Sequence, residues 1–291
     1  MTPGPPTVHD LGHAAGAGAT EALVLAGALL LAAAYLAAAV RTGRTPRGWP
    51  PGRTAAFLLG CALLAASAAP PLAAAAHHDP RAHAAVHLLA GMYAPVALVL
   101  GAPVTLLLRS GTPAVRRAVA PVLRSRALRV LTHPVAALLL GPASLALLYL
   151  TPLFAATQHD PLLHGLVHLH VVASGCLLAW VVAGPDPAPH RPSHGVRLLV
   201  LGVSAAAHAV LAKVMYAGGH PRGTGQDPEQ LRSAAELMYY GGDVAELALA
   251  VAVCAAWYHR PVRRAGARGP HRRPAPRPVP APPRPRPARR P

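Results

Sequence analysis

Apolar residues in this chain neither alternate nor follow the three-and-four spacing of a surface helix; they come in long, nearly unbroken runs of Ala, Leu and Val. Seven runs reach the roughly 20 residues that a bilayer-crossing helix needs. They span Glu21–Val40, Thr54–Ala76, Ala85–Leu108, Pro134–Ala155, Pro161–Ala183, Val196–Ala217 and Ser233–Tyr258. Several begin or end at Pro, Gly or Arg, residues that stop helices. Backbone groups in lipid must be paired within their own segment, so open sheet is excluded. The pattern predicts an all-α polytopic membrane bundle of seven transmembrane helices.

Polar residues between the runs orient the bundle. Arg41, Arg44, Arg47 and Arg53 fill the first connection, and Arg109, Arg116, Arg117, Arg124, Arg126 and Arg129 fill the third. The second connection has only Arg81, and the fourth, from Thr157 to Asp160, has no basic residue but histidine. By the positive-inside rule the first and third connections face the cytoplasm, which places the N-terminus outside and the C-terminus inside. Residues 1–20 then form a short extracytoplasmic segment, 21–260 the seven-helix domain, and 261–291 a tail. That tail alternates Pro with Arg and lacks the apolar residues to fold, so disorder is expected. Residues 1–20 have no Lys or Arg and lack the basic start of a cleavable signal, so the first run is expected to be retained.

Composition agrees with membrane burial. Hydrophobic residues make up 53% of the 291 positions and charged ones 13%, about half of what soluble domains carry. The net charge of +17 could signal nucleic acid, but the arginines avoid the apolar runs and only 4% of residues are aromatic. Basic residues interleaved with stacking aromatics are missing, so no nucleic-acid partner is expected. Cys61, Cys176 and Cys254 lie within apolar runs without metal-binding or disulfide spacing and read as packing residues.

Seventeen histidines in so apolar a chain require an account, because polar side chains in a membrane face the bundle interior or a watery cavity. On this topology His77, His78, His83, His87, His159, His164, His168 and His220 gather at the outward helix ends. Two pairs, His83 with His87 and His164 with His168, are spaced by four and so share a helical face. Turned toward each other, they offer four imidazoles, with Met92, Met215 and Met238 near the same level. Imidazole plus thioether favours copper. Zinc enzymes add a carboxylate or thiolate, and no HExxH occurs. His77, His78, His159 and Asp243 are weaker candidates, since a lone membrane histidine more often bonds a neighbouring helix. His170 and His208 fit that role. Asp243 and Glu246 lie too deep to reach water easily and imply a partner or a proton- or metal-linked task.

His87-Leu-Leu-Ala-Gly-Met-Tyr-Ala-Pro95, with Leu100-Gly-Ala-Pro103 and Leu106-Leu-Leu-Arg109, resembles the third-helix signature of CtaG-type cytochrome c oxidase assembly factors. Thr132-His133-Pro134 and His164-x3-His168 with Ser174-Gly175 and Trp180 are similar to other segments of that family. So is Leu237-Met-Tyr-Tyr-Gly-Gly-Asp243, ending at Trp257. The chain departs from the family at Val167, where members often carry Glu, and at Tyr239, where they carry Trp. The resemblance implies a non-enzymatic factor in a bacterial plasma membrane. Such a factor assists copper delivery to a haem–copper oxidase and has a cytochrome c oxidase subunit and the lipid bilayer as partners. A copper or cation transporter and a haem-binding membrane protein remain as alternatives.

Overall fold

The computed structural model describes residues 8–258, with side chains from Gly18 onward; the tail read as disordered lies outside the described residues. All regular structure among the described residues is helical. Helix α1 (Val8–Gly43) is followed by α2 (Pro51–Ser67), α3 (Pro70–Ala76) and α4 (Pro80–His87). A π-helical turn, Leu88–Tyr93, leads into α5 (Ala94–Leu100), α6 (Pro103–Ser110), α7 (Pro113–Arg124) and α8 (Arg126–Leu131). Then come α9 (Pro134–Leu138), a second π turn (Leu139–Ala143), α10 (Ser144–Leu150) and α11 (Leu153–His159). Three long helices close the bundle: α12 (Pro161–Ala183), α13 (His194–Gly218) and α14 (Pro228–Tyr258).

The starts of these helices follow from local chemistry. Proline occupies the first position of many of them, where its missing N–H costs nothing. Asp79, Thr112, Asp160 and Ser193 precede α4, α7, α12 and α13, and their side chains accept backbone N–H groups of the first turn.

Among the described residues, five helical segments are long and apolar enough to cross a membrane: Gly18–Gly43, Pro80–Ser110, Pro161–Ala183, His194–Gly218 and Pro228–Tyr258. Two of the seven predicted runs are broken. The second bends by 54° between α2 and α3, and the fourth by 76° between α10 and α11, so the count reaches seven if each bent pair is one span. Proline explains both breaks. Pro70-Pro71 offers no N–H to continue α2, and Thr151 is held extended ahead of Pro152.

Packing is inverted relative to a soluble domain. Leu23, Leu30 and Leu162 are more than 70% exposed on the bundle's outside, a surface suited to lipid and not to water. This is the architecture of a multi-pass membrane protein. Inside, one core cluster joins α1, α2 and α5 through Tyr35, Phe57, Leu64 and Leu98. A second joins α5, α12, α13 and α14 through Val96, Val182, Val200 and Val253. The third lies beneath the histidines, with Tyr149, Phe154, Met215 and Met238. Helices α7 and α8 bury none of their residues.

At the arginine-rich end, buried Asp186 accepts the backbone N–H groups of Val104 (3.0 Å) and Thr105 (2.6 Å), and also the Thr105 hydroxyl. It thereby caps α6 from the segment linking α12 to α13. Nearby, Tyr35 donates to the Gly101 carbonyl at 2.7 Å, and the Arg53 and Arg109 guanidinium groups stand 5.2 and 5.5 Å from the Trp49 ring centre.

Candidate functional site

The two spaced histidine pairs meet through a defect in the helix that carries the first. Pro95 has no N–H for the Gly91 carbonyl, and its ring would crowd that oxygen, so the turn between α4 and α5 widens to π geometry. The Gly91 carbonyl then lies against Gly175 of α12, where an added Cβ would collide with it and with Pro95. A glycine at 175 therefore lets α12 approach the widened turn closely. The histidines one and two turns further out are drawn together as a result.

His83 and His168 stand edge to face with ring centres 6.2 Å apart. His164 and His168 lie 4.3 Å apart along α12. His77, at the end of α3, reaches within 6.0 Å of His164, and its Nε2 lies 3.7 Å from Glu21 Oε1. Two imidazoles sharing one ion at bond lengths near 2 Å would have ring centres about 5 to 6 Å apart. His83, His87, His164 and His168 all line one cavity of about 20 Å³, closed by Tyr149, Phe154, Val167 and Val171. Phe154 meets the His83 ring edge-on at 4.9 Å, and Tyr149 meets His87 at 6.2 Å. Such edge-to-face contacts restrict how the imidazoles can turn. Among the described residues no three His, Cys, Asp or Glu groups already close on a single point. The four imidazoles are adjacent donors, not a finished cage.

Other candidate residues are more dispersed. Met215 and Met238 are buried and line a separate cavity of about 20 Å³ with His83 and His220. Met92, half-buried in the π turn, lines neither of these two cavities. His78 is exposed 6.4 Å from His77, His159 is exposed at the end of α11, and Asp243 is exposed on α14. His170 faces away from the pair at 164 and 168. Its Nε2 lies 3.0 Å from the Leu140 carbonyl and 2.9 Å from Ser144 Oγ, at the second π turn. Like its counterpart, that turn contains a proline, Pro142, so His170 joins neighbouring helices as expected.

A larger cavity of about 270 Å³ opens beside the histidines between α1, α2, α3, α4 and α12. Val24, Leu64, Val86 and Leu169 make its walls apolar, while Glu21, His77, His83, His164 and His168 form a polar side. Sequence reading did not assign Glu21 to the site, although it is the one carboxylate of the first apolar run. Nor did it find Tyr149 and Phe154, which are ordinary apolar-run residues until the fold places them.

Residues 33–260 match the family described as cytochrome c oxidase caa3 assembly factor. Uncharacterized proteins of Mycobacterium bovis and Mycobacterium tuberculosis are each 32% identical over 188 residues, covering 62% of this chain. One from Mycobacterium leprae is 31% identical over the same length. The chain's match covers only 28% of the length of these curated relatives. No solved structure matches the chain.

Proposed function

The chain belongs to the cytochrome c oxidase caa3 assembly factor family, and from that premise we propose that it receives copper at its histidine-rich end and passes it to a subunit of the oxidase. His83, His87, His164 and His168 are the primary ligands, and Met215 and Met238 line a neighbouring cavity together with His83. The observation that carries this reading is that one small cavity is lined by all four imidazoles, drawn from two helices. Neutral imidazoles and thioethers suit copper, and an incompletely closed set binds weakly enough to release its ion. The role is that of a carrier, not an enzyme.

In this reading the protein lies in a bacterial plasma membrane with each bent pair counted as one span, seven in all. Its N-terminus and histidine end face outward and its C-terminus faces the cytoplasm. The arginines of the α1–α2 connection and of α7 and α8 support that orientation.

Copper loading is the test. The purified chain in detergent is exposed to Cu(I) under reducing conditions, and bound metal is measured for wild type and for the His83→Ala, His87→Ala, His164→Ala, His168→Ala variant. Near-stoichiometric copper that the variant loses supports the assignment. No copper in wild type, or equal copper in both, removes these ligands, and a haem absorption band in the purified protein would then favour haem binding.

A further inference from the structure

The cavity of about 270 Å³ beside the histidines is long and narrow. Its wall on α1 is the stripe Glu21, Val24, Ala28 and Leu31, spaced by three and four and therefore on one helical face. Ten residues of α1 separate Glu21 from Leu31, about 15 Å along the helix axis. A volume of 270 Å³ spread over that length leaves a mean cross-section of about 18 Å², the width of a single hydrocarbon chain. A helix of another protein, roughly 10 Å across, is too wide to enter. Leu31 and Leu169 line the cavity and are also 50% and 66% exposed. The gap between α1 and α12 therefore gives onto the lipid-facing surface. Midway along the stripe Gly27 keeps the space clear, since a Cβ there would meet nothing within 4 Å.

At its histidine end the cavity adjoins a second one of about 500 Å³. Thr20, Glu21, His77, Gln158 and His164 line both and form a polar collar between them. Among the described residues lining either cavity, Glu21 is the one carboxylate and none is Lys or Arg. His77 Nε2 stands 3.7 Å from Glu21 Oε1, beyond hydrogen-bond reach. The collar thus offers a carboxylate to a cationic donor, and it disfavours an anion.

We propose that this cavity is a lipid site. It takes one acyl chain of an amine-headed phospholipid from the membrane, with the ammonium group at Glu21 and the chain along Val24, Ala28 and Leu31. A hydrocarbon chain gains no hydrophobic free energy by leaving the bilayer, so selection comes from close packing and from the headgroup. The bound chain covers His83 and His168 from the membrane side, because both line the same cavity. The site does not depend on copper binding, and either can fail without the other.

The test places the purified chain in phosphatidylcholine nanodiscs doped with phosphatidylethanolamine whose acyl chain carries a photoactivatable diazirine. Crosslinked peptides are read by mass spectrometry. Wild type should be labelled at Val24, Ala28 or Leu64 inside the cavity, besides the general labelling of outward residues such as Leu23 and Leu30. Gly27→Phe puts a ring into the cavity and should remove the inner labelling alone, whereas Gly27→Ala adds one methyl group and should keep it. Both variants replace glycine by a better helix former, so α1 stays helical. A phosphatidylglycerol probe with the same chain should label the inner residues roughly two- to fivefold less, the size of one part-exposed ion pair. Glu21→Gln should erase that difference. Labelling confined to outward residues, or inner labelling that Gly27→Phe leaves intact, overturns the chain site. Equal inner labelling by the two probes in wild type overturns the amine headgroup.

Discussion

His83 on α4 and His168 on α12 meet edge to face at 6.2 Å, although neither belongs to the other's helix or to an adjacent one in sequence. Their meeting depends on the widened turn at Leu88–Tyr93 and on the absence of a side chain at Gly175. Replacing either histidine pair, His83 with His87 or His164 with His168, should lower oxidase activity in cells while the protein stays in the membrane at normal abundance. Membrane immunoblotting and oxidase assays measure both quantities. Normal oxidase activity in both double variants would remove these residues from the transfer path.

Gly175→Val should act at a distance from the metal. A Cβ at 175 collides with the Gly91 carbonyl and Pro95, and overpacking of this kind costs roughly 1–3 kcal/mol. The melting temperature in detergent should fall, and copper retention should fall with it because α12 is pushed off α4. Unchanged stability would mean that the helices separate there without cost.

His170 serves as an internal control. It lies only two residues from His168, yet its Nε2 is committed to the Leu140 carbonyl and Ser144 Oγ. His170→Ala should lose about 1 kcal/mol of stability and leave the copper content unchanged. Loss of copper without loss of stability would reverse the assignment of the two neighbours.

Asp186→Ala removes a buried carboxylate that accepts two backbone N–H groups and a hydroxyl at the start of α6. Leaving those donors unmet should cost about 2 kcal/mol or more, read as a lower melting temperature. Asp186→Asn, which keeps an acceptor oxygen, should recover part of the loss.

Orientation is open to direct labelling. In a background without native cysteines, a cysteine at His78 or His159 should react with a membrane-impermeant maleimide in intact cells. One at Gly48 or Ser125 should react only after lysis. The reverse pattern would invert the topology and place the histidine end in the cytoplasm.

The sequence alone determined the helical class, because apolar runs of that length leave the backbone no other way to pair in lipid. Proline marked two of the helix starts, Pro134 and Pro161, while the others lie ahead of the apolar runs, from His194 before Val196 to Val8 before Glu21. His83 with His87, and His164 with His168, were legible as pairs because a spacing of four fixes a shared face. Periodicity could not say that Pro70-Pro71 and Thr151-Pro152 break two of the runs, since a proline can kink a span or end it. It also could not say which histidines meet, or that Glu21 faces His77 and Glu246 faces His208. Those contacts depend on how closely helices approach and at what rotation; Gly175 sets the approach of α12 to the widened turn and Gly242 that of α14 to His208. Only the packed bundle decides them, because interhelical distance is set by side chains on both surfaces at once and no single segment encodes it.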